Sequence, residues 1–244
     1  MLSRRGRLKG MSSIRGARER ARAEITAAIK EEARRQLAAD GAAKLSLRAV
    51  ARELGMASSA LYRYFPSRDD LLTALIVDAY DAVGEAAEAA RSSSEGSGEP
   101  HAVRWTAVAC AVRAWALAHP HEYALIYGSP VPGYSAPQDT VGPASRVGLV
   151  LIGIVREACP GDGLTADALP DGLRTDAERL AADLAPGLPP ATMTALIAAW
   201  AQLFGLVSFE VFGQFNRVVE ERDAFFRRAA RELARTVGLP DDAV

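Results

Sequence analysis

The chain is poor in cysteine, and this scarcity excludes a disulfide-stabilised fold and indicates the cellular compartment. Cys110 and Cys159 are the only cysteines among 244 residues, too few for a disulfide scaffold. No secretory signal peptide is visible either. We therefore expect a protein of the reducing cytoplasm.

The sequence also lacks the motifs of common enzyme chemistries. It has no Gly-x-Ser-x-Gly turn, no Gly-rich phosphate loop and no cluster of His and Cys ligands. His119 and His121 flank Pro120 and lack the i, i+4 spacing of metal ligands on one helix face. We expect no catalytic residue, no metal and no cofactor. A helical enzyme stays an alternative that turnover of a small molecule would favour.

No stretch of useful length alternates apolar and polar residues as a β-strand would, and no internal repeat is present. Apolar residues recur at helical spacing throughout and make up 49% of the chain, which predicts an all-α fold with an ample core. Residues 191–209 carry no formal charge. Polar residues dilute this run and no basic cluster flanks it, so we expect a helix buried on nearly all sides and no membrane span.

Lysine is scarce as well, since 26 of the 29 basic residues are arginine, a composition that suggests a GC-rich bacterial genome. The basic residues concentrate at one end: residues 1–70 carry a net charge of +8 and residues 71–244 a net charge of −9. A basic end attracts nucleic-acid phosphates. Residues 1–21 are expected to form a flexible basic arm that touches DNA. The alternatives are an uninvolved tail, or a true start at Met11.

Two short helices around a glycine are predicted over residues 45–68. Ser46 is placed to cap the first helix, and the apolar residues after it recur at spacings of three, four and seven. Gly55 can adopt the left-handed backbone conformation that ends this helix. This is the pattern of a helix-turn-helix, which presents one helix to the DNA major groove.

The second helix of the motif is predicted to begin at residues 57–59, where serine hydroxyls favour a cap. Leu61 and Phe65 face inward, Pro66 ends the helix, and Ser67 caps the next one. The residues left facing outward are hydrogen-bond donors and flat rings: Ser58, Ser59, Tyr62, Arg63 and Tyr64.

Further residues extend this motif on both sides. A helix over 24–40 carries one apolar stripe and precedes the motif. The specific marks are Ala49-Val50-Ala51, Leu54-Gly55, the run from Leu61 to Arg68, and Leu71-Leu72. With these marks, residues 22–81 resemble the DNA-binding domain of the TetR family of transcriptional regulators. The resemblance implies a three-helix domain with a connector helix that continues to about residue 90.

The resemblance also implies DNA contacts, although Met56 and residues 58–60 depart from the residues usual in the family. Arg48 is the candidate for a bidentate guanine contact, worth about 1–3 kcal/mol of discrimination. Arg68 is the candidate phosphate-binding cation. An ordinary solvated side chain is the alternative for each arginine. The implied DNA-binding residues are Ser46, Arg48, Ser58, Ser59, Ala60, Tyr62, Tyr64 and Arg68.

The rest of the chain reads as a second helical domain over residues 100–240, after a Ser/Gly-rich break at 91–100. Trp115, His119-Pro120, Tyr123, Tyr127-Gly128 and Pro130 resemble the WHG type of C-terminal regulatory domain in this family. That resemblance implies ligand sensing and dimerisation. Aromatic residues with a few polar tips would line the pocket for a small apolar or aromatic effector. The candidates, each of which has core packing as its alternative, are Trp105, Cys110, Trp115, His119, Tyr123, Tyr127, Trp200 and Phe204.

Two apolar stripes near the end of the chain predict how copies pair. Helices over 191–216 and 221–237 would associate with their twofold mates as a four-helix interface, with a monomer core as the alternative. The stripe residues are Leu196, Leu203, Val207, Val211, Phe226 and Leu233. We expect a homodimeric repressor that binds an inverted-repeat operator in double-stranded DNA and is released by a small molecule. The main alternative is an architectural, sequence-indifferent DNA-binding protein.

Overall fold

The computed structural model describes residues 5–93, 98–158 and 169–239, with side chains from residue 16 onward. Within these residues the fold has ten α-helices and no β-strand, which confirms the all-α prediction. The helices are α1 (Arg5–Asp40), α2 (Leu47–Glu53), α3 (Ser58–Leu61), α4 (Arg68–Ser93), α5 (His101–Ala118), α6 (Pro120–Tyr127), α7 (Val141–Ala158), α8 (Asp171–Leu184), α9 (Pro190–Val211) and α10 (Arg222–Thr236).

The helices fall into two compact units. The first contains the residues up to Ile76 together with the loop Ser129–Ala136, and the second contains Val77–Gly128 and the residues from Pro137 onward. This division falls within α4, whereas the sequence assigned residues 22–81 to the first domain and 100–240 to the second. The loop differs from expectation, because it belongs to the first unit, where the Tyr134 hydroxyl hydrogen-bonds Thr73 Oγ1 at 2.9 Å. Helix α4 passes through both units. Residues 94–97 of the predicted break lie outside the described part of the chain, as does Cys159.

The expected flexible arm is helical from Arg5 onward, and α1 runs without a break to Asp40. The physical reason is composition: residues 5–40 contain no proline and are rich in alanine, arginine and glutamate, which favour helix. The prediction relied on the lack of apolar periodicity before Ile25. Periodicity reports which face is buried, not whether the backbone is helical. Residues 1–4 of the expected arm lie outside the described residues.

The core of the first unit joins α1 to the two short helices and the start of α4. Ile29, Leu61 and Leu72 are fully buried in it. Because α2 and α3 have only seven and four residues, this burial rather than intrinsic helix stability holds them in place. The other apolar residues buried in this unit are Ala33, Leu37, Leu45, Leu47, Val50, Ala51, Phe65, Leu71, Leu75 and Ile76.

The second unit is built around α5, which supplies Trp105, Val108 and Val112 to a core shared with α7, α9 and α10. Ion pairs also link the helices of this unit. The Arg113 guanidinium donates from Nε and Nη2 to the two Glu210 carboxylate oxygens at 2.6 and 2.7 Å, and from Nη1 to Asp223 at 2.5 Å. This arginine therefore fastens α5 to both α9 and α10.

Helix α9 is the one described helix that is long and apolar enough to span a membrane by length and composition. It is buried on one face only, which corrects the expectation of burial on nearly all sides. Leu203 and Val207 are fully buried, whereas Ile197 is 43% exposed and Phe209 is 53% exposed. The buried face also carries the charged Glu210, paired with Arg113. This is the pattern of a core helix with a second apolar face.

Candidate nucleic-acid interface

Helix α2 begins and ends as the sequence predicts. Ser46 is its N-cap, with Oγ accepting a hydrogen bond from the Ala49 backbone N–H at 3.4 Å. Gly55 has a φ of 64°, the left-handed conformation that glycine adopts at least cost. The Met56 N–H then donates to the Ala51 carbonyl at 2.8 Å, which closes the helix end.

Helix α3 follows the prediction less closely. Its N-cap is Ala57, which makes no side-chain cap, because Ser58 and Ser59 already lie inside the first helical turn. The helix ends at Leu61, well before Pro66, and tighter turns follow, in which the Tyr64 N–H donates to the Leu61 carbonyl at 2.8 Å. The inward positions are confirmed, since Leu61 and Phe65 are buried. The Ser67 cap is confirmed as well, since its Oγ accepts from the Asp70 N–H at 3.1 Å.

The outward surface of the motif is available to a partner. Ser58, Ser59, Tyr62 and Arg63 are exposed, and Ala60 is half-buried. These side chains cover the start of α3 and the turn after it. On α2, Arg48 is exposed too. The surface thus offers hydroxyls, a phenol and two guanidinium groups, all of which suit phosphate oxygens or base edges.

Tyr64 is anchored from the side by α1. The Arg22 guanidinium lies 5.1 Å from the centre of the Tyr64 ring, a cation–π contact. The same guanidinium donates to the Arg63 carbonyl at 3.5 Å. Arg22 therefore positions the turn after α3, a role that sequence reasoning missed. Nothing in the spacing of an exposed arginine 42 residues before a tyrosine signals such a contact.

The Arg68 guanidinium is partly exposed, and most of its donors are engaged within the chain. Its guanidinium donates to the backbone carbonyls of Ala42 at 2.8 Å, Leu45 at 3.3 Å and Ala43 at 3.4 Å. It also pairs with Asp69 at 3.4 Å. These groups occupy the fork of donors that would grip a phosphate. The structure thus places Arg68 as a clamp that fastens the start of α4 to the turn before α2.

Several of the predicted ligand-pocket residues pack against one another in the described part of the second unit. Trp105 and Tyr123 are fully buried, and the Tyr123 hydroxyl donates to the Phe204 carbonyl at 3.1 Å. Tyr127 stacks on Phe204 with ring centres 4.2 Å apart. Burial raises the pKa of both tyrosines. Most of these rings pack as core, because close ring–ring contacts leave no room for a ligand.

The remaining predicted pocket residues are scattered. Trp115 is buried and stacks on the exposed His119, with ring centres 5.4 Å apart. Cys110 is half-buried, and this burial raises the pKa of its thiol. Trp200 lies apart from these groups, with 39% of its surface exposed.

A cavity does occur in this unit, elsewhere. It lies between α7, α8 and α9 and has a volume of about 200 Å³. Among the eight predicted pocket residues, Trp200 alone lines it. The signal available in the sequence was the apolar run of α7 rather than the aromatic residues. The lining residues are Ala144, Ser145, Gly148, Leu149, Leu151, Ile152, Leu180, Leu184, Met193, Leu196, Ile197 and Trp200.

The predicted dimer stripe is part of the core of a single chain. Leu203, Val207 and Phe226 are at most 1% exposed, so they cannot meet a second copy. Leu196 and Leu233 are also buried, and Val211 is half-buried. The helical period was right and the choice of face was wrong, because both faces of α9 are apolar and periodicity does not say which one is covered by the same chain.

Two ion clusters fasten α4 to α7, and we call them together the clasp. In the first, Arg146 of α7 forms a bidentate contact with Glu88 at 2.8 Å and donates to Asp81 Oδ1 at 2.7 Å. In the second, Arg91 of α4 contacts Glu157 of α7 at 2.5 Å, and Arg104 of α5 contacts the same carboxylate at 2.7 Å.

Each cluster of the clasp rests on a glycine of the facing helix. A Cβ at Gly84 of α4 would lie 2.8 Å from the Arg146 side chain, and a Cβ at Gly153 of α7 would lie 2.5 Å from Arg91. No larger residue fits at either place without displacing the arginine. The two helices are therefore held through side chains that need close access to the opposite backbone.

Comparison with known proteins identifies the family of this chain. Residues 29–75 match the family model described as bacterial regulatory proteins, tetR family. Residues 105–233 match the model described as tetracyclin repressor-like, C-terminal domain. The chain belongs to the TetR family. It is therefore a DNA-binding transcriptional regulator and not an enzyme.

Individual relatives agree with this assignment. The HTH-type transcriptional regulators Mb1846 of Mycobacterium bovis and Rv1816 of Mycobacterium tuberculosis are each 45% identical to this chain over 204 residues, which is 82% of this chain and 86% of theirs. The crystal structure of SCO4313 is 32% identical, with a TM-score of 0.72 over 88% of this chain and 97% of that one. The helix-turn-helix predicted from the sequence is thus that of the TetR family.

Proposed function

We propose that this TetR-family regulator is a cytoplasmic homodimeric repressor. It binds an inverted-repeat operator with the surface of α2 and α3, and it leaves the operator when a small molecule binds the second unit. The observation that carries the proposal is the exposed apolar face shared by α9 and α10. Two copies of the chain could associate through this face and so pair their helix-turn-helix domains.

The α9–α10 face has the character of an interface. Phe209 is 53% exposed and Phe225 is 37% exposed, with Phe215 between them at ring distances of 5.7 and 5.4 Å. A groove of about 620 Å³ follows this row. Contiguous exposed apolar surface of this kind marks protein–protein contact in soluble proteins.

Small residues on the same side of α9 favour a closely packed partner helix. Ala198, Ala201 and Gly205 lie on its exposed or half-buried side, and a Cβ at Gly205 would meet no atom of this chain within 4 Å. Two helices from each copy would then form a four-helix interface. The twofold symmetry of such a dimer matches an operator made of two half-sites.

The proposed DNA contacts come from the exposed surface of the motif. Arg48 remains the candidate for base recognition, and Ser58, Ser59 and Tyr62 remain candidates for phosphate and base contacts. Ala60 and Tyr64 are half-buried beside them, and Tyr64 is already held by Arg22. Ser46 contributes through the cap of α2. Arg68 is withdrawn as a phosphate ligand, because its guanidinium is bound to backbone carbonyls.

The clasp supplies a route from ligand to DNA. Helix α7 lines the cavity on one side and is fastened to α4 on the other, with Arg146 directly following the lining residue Ser145. Helix α4 begins at Arg68, directly after the helix-turn-helix. A ligand that binds one arrangement of α7 better than another would shift the arrangement of α4, and only by its differential affinity for the two states.

Substitution on the α9–α10 face tests the dimer and the repressor together. Phe209→Glu places a charge in the proposed interface and should weaken self-association by more than about tenfold, since one buried unpaired charge costs several kcal/mol. Operator affinity should fall with it. Leu173→Glu is the matched control, because Leu173 is 44% exposed on α8 and lies outside the groove.

The measurements are sedimentation equilibrium for self-association and fluorescence anisotropy with a selected operator duplex. Circular dichroism checks that both variants stay helical. A Phe209→Glu protein that remains dimeric, or that binds the operator as tightly as the Leu173→Glu control, contradicts the proposal.

A further inference from the structure

We propose that the cavity between α7, α8 and α9 and the groove beside it form one site, and that its ligand is an amphipathic carboxylate, with an apolar tail in the cavity and an anionic head in the groove. This inference rests on the proposed ligand response and names the chemical class of its effector.

The cavity accepts only apolar groups. Leucine, isoleucine, methionine and tryptophan side chains line nearly all of it, and Ser145 contributes the one side-chain hydroxyl. Gly148 lines the cavity and leaves open space beside it, because a Cβ there would meet no atom within 4 Å. Its volume of about 200 Å³ is below the roughly 300–1,000 Å³ of pockets for whole small molecules. The cavity therefore suits part of a ligand, such as an alkyl chain or one ring.

The groove continues the cavity and changes its chemistry. It has a volume of about 440 Å³ and shares Leu149, Ile152 and Leu184 with the cavity. Its other lining residues are mostly charged, and two of them, Arg91 and Glu157, belong to the second cluster of the clasp. These residues are Arg91, Gly153, Arg156 and Glu157. A ligand that lies across the shared residues has one end among apolar side chains and the other among arginines.

Arginine side chains at the groove favour an anionic head. Arg91 and Arg104 contact the Glu157 carboxylate, and the exposed Arg156 also lines the groove. A cationic head would be repelled there. A neutral head would gain no charge-assisted hydrogen bond from these arginines. A carboxylate matches the planar fork of an arginine and can form two parallel hydrogen bonds with it.

Arg104 has buried N–H donors that lack a hydrogen-bond acceptor within the described residues. This arginine is 8% exposed, and its Nε and Nη2 have no hydrogen-bond partner within the described part of the chain. A guanidinium group has five N–H donors, and leaving buried donors unsatisfied is costly. Arg104 contacts the same Glu157 carboxylate that lines the groove. A second carboxylate at this cluster would relieve the deficit and compete with Glu157 for the arginines, which would loosen the clasp.

Titration of the free protein with two probes of equal tail length tests the head group. Sodium octanoate and 1-octanol are compared by isothermal titration calorimetry on the full-length protein without DNA. Octanoate should bind about tenfold more tightly than octanol, the reverse of the order expected from hydrophobicity alone. Arg156→Gln should weaken octanoate binding about fivefold and leave octanol unchanged. Arg179→Gln, an exposed arginine on α8 outside both linings, is the control and should change neither affinity.

Filling the cavity tests the tail. Gly148→Leu should place a side chain in the space that the tail would occupy and lower the affinity for octanoate at least about tenfold. Gly142→Leu is the matched control, because Gly142 lies on the same helix, also has open space around it and does not line the cavity. Sedimentation of the Gly148→Leu protein shows whether its self-association is unchanged.

Several results would overturn the inference. These are equal binding of octanoate and octanol with no effect of Arg156→Gln, no binding of either probe, or full octanoate affinity in the Gly148→Leu protein. A change in self-association in place of a change in octanoate affinity would also overturn it, because the cavity would then be an interface element. Operator affinity is measured separately. Tight octanoate binding that leaves operator affinity unchanged supports the site and contradicts the proposed ligand response.

Discussion

Arg48 and Arg63 in the helix-turn-helix are exposed, whereas Arg104, Arg113 and Arg146 in the second unit are held by carboxylates between helices. Both regions use arginine, and the excess of basic residues toward the start of the chain is what first indicated DNA binding. An excess of basic residues therefore indicates a phosphate-binding surface only where the arginine side chains are not already bound by carboxylates or carbonyls of the same chain. Arg68 is an exception, since it lies in the basic region and yet its guanidinium donates to the backbone carbonyls of Ala42 and Leu45.

The largest expected effect lies in the second unit, at the buried contact between Arg113 and Glu210. Arg113→Met leaves a Glu210 side chain that is 5% exposed without its partner. The free energy of unfolding should fall by about 3–5 kcal/mol, since a buried charge is then uncompensated. Urea unfolding at fixed protein concentration measures the loss.

Two controls accompany the Arg113 experiment. Arg179→Met removes a surface pair with Asp176, in which both side chains are more than 60% exposed, and should cost less than about 1 kcal/mol. The double variant Arg113→Met, Glu210→Leu should recover part of the stability, because it removes the stranded charge. A single variant no less stable than the Arg179→Met control would mean that Arg113 is not an internal fastener.

Arg68→Ala should have the next largest effect. It should lower the free energy of unfolding and not the DNA affinity alone. Loss of its hydrogen bonds to the Ala42 and Leu45 carbonyls should cost about 1–3 kcal/mol of unfolding free energy. Arg68→Lys should not restore this, since a lysine lacks the planar fork. An Arg68→Ala protein with unchanged stability and a salt dependence of operator binding reduced by about one counterion would return Arg68 to the phosphate contacts.

Arg48→Ala should show the opposite behaviour. Its stability should stay within about 0.5 kcal/mol of the wild type, as for an exposed residue with no structural role. Operator binding should weaken by about 1–3 kcal/mol, and discrimination between operator and unrelated DNA should fall with it. Anisotropy titrations with both duplexes at one salt concentration give the comparison. Unchanged discrimination would mean that Arg48 does not contact a base.

A smaller effect is expected at the clasp, where the pH dependence can be assigned. The hydrogen bond from Arg146 and its charge hold the pKa of Glu88 below the usual value for glutamate, against a smaller opposing effect of desolvation. Because the folded-state pKa is the lower one, the stabilisation is complete above the unfolded-state pKa of about 4.3 and is lost as pH falls through the folded-state pKa.

Nuclear magnetic resonance titration of the Glu88 carboxyl in the wild type, Arg146→Gln and Arg179→Gln proteins checks this assignment. The pKa should rise in Arg146→Gln and stay low in Arg179→Gln. A Glu88 pKa that does not respond to Arg146→Gln would show that the first cluster of the clasp does not form in solution.

The smallest effect separates two roles of Ser46. Ser46→Ala removes the cap of α2 and should cost about 1 kcal/mol of stability. Ser46→Asp should restore the cap and yet weaken DNA binding, if this position lies near phosphate as the family resemblance implies. Thermal unfolding and anisotropy are measured on the same samples. Normal DNA affinity in Ser46→Asp would leave Ser46 with the capping role alone.

The two regions also differ in how far sequence reasoning reached. In the helix-turn-helix, a cap, a left-handed glycine and inward apolar residues are local devices, and each is confirmed at Ser46, Gly55 and Leu61. Short-range chemistry fixes these features, so a short window of sequence contains the necessary information.

In the second unit the helices predicted over 191–216 and 221–237 are present as α9 (Pro190–Val211) and α10 (Arg222–Thr236). The roles of side chains were not predicted well. The stripe through Leu203 and Val207 was assigned to a second copy and is covered by the chain itself. Rings such as Tyr127 were assigned to a pocket and pack on Phe204. Such roles depend on contacts between residues 66 to 110 positions apart, as for Arg91 with Glu157 and Arg113 with Asp223, which periodicity does not encode.

Selection of bound duplexes from a random DNA pool, at one physiological salt concentration and with wild-type and Phe209→Glu proteins side by side, tests the central claim most directly. We expect an enriched inverted repeat with the wild type, with half-sites separated by about one helical turn or a multiple of it, and loss of the repeat with Phe209→Glu. No enrichment with the wild type, and binding that fades with salt equally on all duplexes, would contradict sequence-specific dimeric recognition and favour an architectural DNA-binding protein.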